Sequence, residues 1–279
     1  MTFSLIGEKL SHSMSPFIHN YLFKLRNLHF KYDLVEIEKS CFKEIFQKKL
    51  ETSCGMNVTI PYKQSVIPFL DRLDGRAEIF KSVNTIKIGD KAVGYNTDCD
   101  GFLKALALAQ IPISGDVFIL GAGGVARTFA FECALKNAYV TIVCRDTRSG
   151  FAIKDEIIAY HSDSKIDVID FEQLEASDSA IDLLINATPL GMHPKINISP
   201  ASAQVVSRSK HIFDSIYNPH ETALIQLGNA AGAVTLGGMS MLVWQAEMAQ
   251  RIWFGTNAAD DEIERLIHLA NREMKEIFR

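Results

Sequence analysis

Four apolar residues, Val117-Phe118-Ile119-Leu120, run without a break into Gly121-Ala122-Gly123-Gly124-Val125-Ala126. Continuous apolarity over so short a span describes a strand buried on both faces of a parallel sheet. The glycines describe a tight turn into a helix whose first amides are open to an anion. The first glycine permits the turn, the second lets backbone N–H groups approach a pyrophosphate, and Ala126 keeps the helix close to the sheet. Residues Gly121, Ala122, Gly123, Gly124, Val125 and Ala126 are therefore read as a dinucleotide-phosphate loop. Such a unit demands further parallel strands and covering helices, which is the requirement of a doubly wound α/β fold.

The rest of the chain supplies them. The helix after the loop extends through Asn137, Tyr139 to Cys144 is the next strand, and Ala152 to Tyr160 is helical. Further strands follow at Ile181 to Ile185, Ile212 to Phe213 and Val234 to Leu236. The first hundred residues also alternate. Phe3 to Ile6, Phe30 to Ile37 and Met56 to Ile60 read as strands, and Cys41 to Leu50 as an amphipathic helix. Ser15-Pro16 opens a helix with Ser15 as N-cap and Phe17, Ile18, Tyr21, Leu22 and Leu25 as its apolar face. Pro61 stops a strand, and a helix carrying Val66, Ile67 and Phe69 is expected after it. Asn84 to Gly94 reads as a hairpin turning at Gly89-Asp90. Two helices, Met239 to Phe254 and Asp260 to Ile277, close the chain.

Composition excludes several classes. A net charge of -4 gives no reason to expect nucleic acid or an anionic membrane as partner. No apolar run approaches the roughly 20 residues of a membrane span, and the start lacks a signal-peptide pattern, so a cytoplasmic protein is expected. The 5 cysteines form no C-x-x-C pair, which argues against a disulfide framework or a zinc site and for reduced, buried thiols. No metal is expected.

The end of the second nucleotide strand bears on the cofactor. An NAD site places Asp or Glu there, about 20 residues past the loop, on the ribose 2′-hydroxyl. This chain has Cys144, then Arg145 and, after Asp146 and Thr147, Arg148. Two guanidiniums suit a 2′-phosphate, so NADP is the cofactor read here. Asp146 between them leaves NAD as the alternative.

Before the nucleotide loop stand the candidates for chemistry. Ser13 and Ser15 flank one residue at a strand-to-helix junction and can bind a carboxylate there. Lys63 follows the end of a strand, where open α/β folds put their chemistry, and lysine serves as acid or base when its surroundings suit. Asp98 precedes a helix near Cys99, where one carboxylate oxygen can cap while the other faces a ligand. His12 and His19 are imidazoles without a carboxylate placed beside them, and neither is assigned a role.

Taken together, these segments are similar, almost end to end, to the NADP-dependent shikimate dehydrogenases of aromatic amino-acid biosynthesis. Ser11-His12-Ser13-Met14-Ser15-Pro16 resembles the family's substrate-carboxylate segment, and Asn57-Val58-Thr59-Ile60-Pro61-Tyr62-Lys63 its catalytic-lysine segment. Val83-Asn84-Thr85 and Asn96-Thr97-Asp98 resemble the segments of its substrate-binding asparagine and catalytic aspartate. Asn186-Ala187-Thr188-Pro189-Leu190-Gly191-Met192 resembles the loop at its nicotinamide site. Asp214-Ser215-Ile216-Tyr217-Asn218-Pro219 and Gly238-Met239-Ser240-Met241-Leu242-Val243-Trp244-Gln245 resemble its late segments. The family's NADP-specific members commonly carry Asn-Arg-Thr and a second basic residue where this chain has Cys144-Arg145-Asp146-Thr147-Arg148, and only Arg145 keeps its place.

The resemblance implies a two-domain α/β fold. Residues 1–101, completed by 238–279, would form an α/β substrate domain, and residues 102–237 a Rossmann-like NADP domain with a parallel sheet. It implies reversible, NADPH-dependent reduction of 3-dehydroshikimate to shikimate. By the same resemblance Ser13, Ser15 and Tyr217 would hold the substrate carboxylate, and Thr59, Asn84 and Gln245 the ring hydroxyls. Lys63 and Asp98 would be the catalytic pair, the proton donor left open between them. Thr188 and Gly238 would join the phosphate loop, Arg145 and Arg148 at the cofactor. Closure of the domains about 101–114 and 237–238 is expected, and the oligomeric state stays open between monomer and homodimer. Two other readings stand beside this one: a quinate/shikimate dehydrogenase using NAD as well, and a nicotinamide-binding sensor that would need neither Lys63 nor Asp98.

Overall fold

Strand alternation in the sequence becomes two sheets, each with its own helices. The computed structural model of the chain describes residues 2–11 and 13–277, with the backbone alone at residue 277. Two compact units emerge: Met1–Gly101 with Val243–Ala270, and Phe102–Leu242 with Asn271–Arg279.

The first unit runs β1 (Thr2–Gly7), α1 (Ser15–Leu25), β2 (Tyr32–Glu36), α2 (Phe42–Thr52), β3 (Ser53–Val58), β4 (Arg72–Leu73), α3 (Arg76–Phe80), β5 (Thr85–Ile88) and β6 (Ala92–Tyr95), leading into α4 (Asp98–Leu108). Among the described residues its strands form one sheet in the order β2-β1-β3-β5-β6-β4. β1 pairs parallel with β2 and β3, whereas β5 runs antiparallel between β3 and β6. Parallel neighbours need crossovers, and α1 and α2 provide them. The period of two sends β1 into two cores: Phe3 and Leu5 join Phe23, Tyr32, Ala249 and Trp253, while Ile6 joins Phe42, Phe46, Met56 and Val58. Gly55 on β3 makes room for the indole of Trp253, since a Cβ there would lie 2.5 Å from its Nε1. That indole donates to the Ile86 carbonyl at 3.0 Å.

The second unit runs β7 (Asp116–Leu120), α5 (Gly124–Leu135), β8 (Tyr139–Val143), α6 (Thr147–Tyr160), β9 (Lys165–Ile169), α7 (Phe171–Ala176), β10 (Ile181–Asn186), α8 (Ala203–Ser207), β11 (Ser209–Asp214), α9 (Ala223–Ala231) and β12 (Val234–Gly237). The chain then continues as α10 (Met239–Phe254) and α11 (Asp260–Ile277). The order β12-β11-β10-β7-β8-β9 is parallel throughout. The two βαβαβ halves meet at β7 and β10, the switch point where open α/β sheets bind ligands. Among the described residues no helix is long and apolar enough to cross a membrane.

Some expectations need correction. The helix expected to carry Val66, Ile67 and Phe69 is only a 3₁₀ turn, Ile67–Phe69. Pro68 lacks an N–H and disfavours helical backbone in Ile67. α1 starts at Ser15 itself with Met14 in the cap position and no side-chain cap. Cys41 is exposed and Cys54 half-buried, so only Cys99, Cys133 and Cys144 are buried thiols, and all five are free. Gly238 donates to the Ile216 carbonyl at 3.0 Å and packs on the Ser215 backbone, which keeps the start of α10 in the second unit. Asn271 hydrogen-bonds His220 there and takes the end of α11 with it.

His19 is a core residue. Its ring stacks on Tyr32 with centroids 4.1 Å apart and an interplanar angle of 4°. Its Nδ1 lies 3.3 Å from Gln250 Nε2. Burial, with the Arg26 charge assisting, lowers its pKa from 6.5 to about 3. The unfolded chain therefore binds a proton from about pH 6.5 downward that folded His19 refuses until about pH 3, and stability is lost as pH falls through that window. His19→Phe keeps the stacking and removes the titration. Denaturant unfolding against pH is expected to show a shallower acid loss in the variant, by up to about 1.4 kcal/mol per pH unit. Equal slopes in both proteins would refute the assignment.

Candidate active site

The first unit gathers Lys63, Asp98 and Asn84 through its sheet register. β3 ends at Val58, and the chain turns with Thr59 N–H on the Ile6 carbonyl and Tyr62 N–H on the Thr59 carbonyl, both at 2.9 Å. Lys63 follows, and its carbonyl accepts from Val83 N–H at 2.8 Å, joining its segment to the one that carries Asn84. Lys63 Nζ donates to Asp98 Oδ2 at 2.6 Å, and both side chains are partly screened from water, at 27% and 15% exposure. Asn84 Nδ2 donates to the other oxygen, Oδ1, at 2.8 Å. Both carboxylate oxygens thus accept from side chains. The start of α4 is served by its neighbours: Asn96 Oδ1 accepts from Asp98 N–H at 3.1 Å, and the Thr97 carbonyl accepts from Gly101 N–H at 3.0 Å. Partial desolvation strengthens the attraction within the pair. An ammonium held this way can hydrogen-bond an oxygen as charge grows on it and then yield a proton.

The remaining residues of this unit lie nearby to differing degrees. Gln245, on α10, brings Oε1 to 3.4 Å from Asn84 Nδ2 and 3.5 Å from Thr97 Oγ1. Thr59 is half-buried, with its methyl against Gly7. Ser13 Oγ accepts from Ser15 N–H at 3.2 Å, so the two serines form one turn at the start of α1. His12 lies outside the described residues. Sequence reasoning assigns no part to Asn57, Thr85 or Thr97, yet all three are buried and hydrogen-bonded in the neighbourhood of Asn84. For Asn57 and Thr85 the signal is a buried polar residue within a strand.

The phosphate loop of the second unit has the form its glycines imply. Gly121 has φ +111°, and a Cβ there would lie 3.1 Å from both the Ala187 carbonyl and Thr188 Cγ2. A Cβ at Gly123 or Gly124 would meet nothing within 4 Å, so the backbone beside the helix start is bare. The first helical bond is Arg127 N–H to the Gly123 carbonyl at 3.0 Å. The amides of Gly124, Val125 and Ala126 precede it, and with the helix dipole they suit a pyrophosphate. Ala126 is buried against the sheet. These residues fit a dinucleotide.

At the end of β8 the two arginines part company. Asp146 caps α6, its Oδ1 accepting from Arg148 N–H at 3.2 Å. The same carboxylate takes the Arg148 guanidinium at 2.9 and 3.2 Å, and this bonding holds its pKa below the usual range. Arg148 is committed to Asp146, while Arg145 is exposed.

Two further loops of this unit meet at Asp214, a hub the sequence does not single out. Its Oδ1 accepts from Asn186 Nδ2 at 2.9 Å and Ile216 N–H at 3.0 Å, and its Oδ2 from Thr222 Oγ1 at 2.6 Å. Burial raises its pKa to about 6 against these bonds. Asn186 Oδ1 in turn accepts from Thr188 N–H and Oγ1 at 2.9 and 2.7 Å. Asp214 therefore ties the turn carrying Thr188 to the loop carrying Tyr217, a half-buried phenol whose pKa burial pushes up.

Comparison with known proteins identifies the family. Residues 5–86 match the family model described as the shikimate dehydrogenase substrate binding domain. Shikimate dehydrogenase (NADP(+)) of Clostridium beijerinckii is 39% identical over 257 residues, 90% of this chain and 91% of that protein. The crystal structure of shikimate 5-dehydrogenase from Thermus thermophilus with NADP(H) and shikimate superposes with a TM-score of 0.86 at 26% identity, covering 97% of this chain and 100% of that one. Quinate dehydrogenase from Corynebacterium glutamicum with NAD also gives a TM-score of 0.86 at 26% identity, covering 97% and 99%. With 39% identity to that Clostridium enzyme across nine-tenths of both proteins, the chain belongs to the shikimate dehydrogenase family.

Proposed function

We propose that this chain is an NADP-dependent shikimate dehydrogenase, catalysing the reversible reduction of 3-dehydroshikimate to shikimate in the cytoplasm. The observation that carries this reading is the Lys63–Asp98 pair at 2.6 Å with Asn84 on its second oxygen, in a chain of this family. NADPH, when bound, supplies the hydride. Gly121, Ala122, Gly123, Gly124, Val125 and Ala126 would hold its pyrophosphate, and Arg145 its 2′-phosphate, with Thr188 and Gly238 completing the cofactor contacts.

Ser13 and Ser15 would receive the substrate carboxylate, with the Tyr217 hydroxyl as a third donor. Thr59, Asn84 and Gln245 would read the ring hydroxyls. As negative charge develops on the carbonyl oxygen, the Lys63 ammonium would stabilise and protonate it, and Asp98 would hold that ammonium in line. In the oxidative direction the same pair accepts the hydroxyl proton.

Turnover followed by nicotinamide absorbance, with shikimate and quinate crossed against NADP and NAD, tests the reading. Shikimate with NADP is expected to be the best pairing, and Lys63→Ala to lower kcat by about 10²- to 10⁴-fold, the range of general acid–base catalysis. Comparable rates with quinate and NAD would instead favour the dual-specificity reading, which the Asp146–Arg148 pair supports. No turnover in any pairing would overturn both.

A second prediction follows from that pair. Asp146→Asn keeps a competent helix cap and releases the Arg148 guanidinium. The dissociation constant for NADP+, read by calorimetry, is expected to fall on the order of 3- to 10-fold, while that for NAD+ stays the same. Equal changes for both cofactors would mean that Arg148 takes no part in the 2′-phosphate site.

A further inference from the structure

Beneath the Lys63–Asp98 pair, polar side chains cross the sheet of the first unit where apolar ones would pack. Tyr32 on β2, Asn57 on β3, Thr85 on β5 and Thr97 before α4 are 2%, 4%, 0% and 0% exposed. Asn57 and Thr85 are directly opposed across the antiparallel pair. The Tyr32 side chain reaches Asn57 across β1, which lies between their strands. They make one continuous hydrogen-bonded series. Tyr32 Oη is 2.6 Å from Asn57 Oδ1, and Asn57 Nδ2 donates to Thr85 Oγ1 at 2.9 Å. The Thr85 and Thr97 hydroxyls are 3.1 Å apart, and Asn84 Nδ2 donates to Thr97 Oγ1 at 3.1 Å.

Backbone groups that cannot reverse their polarity fix the two amides of this series, while the bond between the Thr85 and Thr97 hydroxyls can run either way. Asn57 Nδ2 also meets the Asn84 carbonyl at 3.1 Å, an acceptor only. Its Oδ1 must therefore face Tyr32, and the phenol must donate. Burial raises the Tyr32 pKa well above 10, so that donor is retained. At the other end Asn84 Oδ1 accepts from Thr97 N–H at 2.7 Å, a donor only. The Asn84 NH₂ must then face outward, one hydrogen on Thr97 Oγ1 and the other on Asp98 Oδ1. Turning either amide over in this buried network leaves a donor or acceptor unpaired.

We propose that Tyr32, Asn57, Thr85 and Thr97 are positioning residues of the reaction, locking the Asn84 amide with its NH₂ on Asp98 and so fixing the carboxylate that holds Lys63. The proposal rests on the reading that Lys63 and Asp98 carry the chemistry. None of the four needs to touch substrate for this purpose. Their effect is on the geometry of the step rather than on affinity, and it should appear in kcat more than in KM.

Two substitutions at Thr85 separate positioning from packing. Thr85→Val keeps the shape and removes the hydroxyl, while Thr85→Ser keeps the hydroxyl and removes a buried methyl. For shikimate oxidation, Thr85→Val is expected to lower kcat about tenfold with KM changed less than about threefold, and Thr85→Ser to hold kcat within about twofold even where its Tm is lower. Wild-type kcat in Thr85→Val, or kcat values that simply follow the Tm order, would overturn the proposal. Should Thr85→Val fail to fold, Tyr32→Phe at the far end of the series carries the same expectation and the same refutation. The side-chain NH₂ signals of Asn84 in the ligand-free protein give a reading independent of turnover. They should shift in Thr85→Val and stay in place in Thr85→Ser, and unchanged signals in both would refute positioning whatever the enzyme's substrate. A wild-type protein without shikimate turnover would count against the proposed function alone.

Discussion

Placing an ammonium and a carboxylate in a half-buried position is the constraint on which the first unit depends. Each charge gives up hydration that its partner must replace, and geometry decides whether it does. The 2.6 Å contact from Lys63 to Asp98 supplies the attraction, but a carboxylate has a second oxygen to satisfy. Asn84 serves it, and Asn84 is pinned on both sides of its own backbone, by Tyr95 through its N–H and by Val58 and Asn57 through its carbonyl. The mixed sheet makes this possible. β5 runs antiparallel to β3, and so the end of the strand that leads to Lys63 and the start of the strand that follows Asn84 fall side by side.

The second unit solves a different problem with less side-chain chemistry. Its glycine loop offers backbone amides, and the sequence needs only to keep Cβ atoms out of the way and the helix close to the sheet. Gly121, held at positive φ against the 187–188 backbone, meets the first need, and buried Ala126 the second. A site made of backbone tolerates changes at most positions around it. The site in the first unit does not, because each of its polar groups has a particular partner.

This difference explains what is legible in the sequence. The nucleotide strand, its glycine loop and the helix after it can be read directly, since period, φ and close approach are local demands. So can the hairpin β5–β6 and the two terminal helices. The 3₁₀ turn at Ile67–Phe69 is mistaken for a helix when apolar spacing outweighs Pro68. β9 and α7 to α9 escape a reading of periodicity, being short elements whose apolar residues make sense only once their neighbours are present. Lys63, Asp98 and Asn84 are named from segments that resemble a family, and no spacing rule could pair residues 35 positions apart. Asn57, Thr85 and Thr97 stay invisible for the same reason: a polar residue in a strand says that it needs a partner, not which one.

Asp98 and Asp214 show how the partner determines what a buried carboxylate does. Asp98 meets the Lys63 ammonium and one amide. Asp214 receives only neutral donors, from Asn186, Ile216 and Thr222. Three hydrogen bonds favour its charged form, yet burial outweighs them and its pKa rises to about 6. A carboxylate so placed is a good joint, because it gathers donors from two loops at one point. The fold thus uses the same functional group once to hold an ammonium and once to hold loops together, and the presence or absence of that ammonium distinguishes the two.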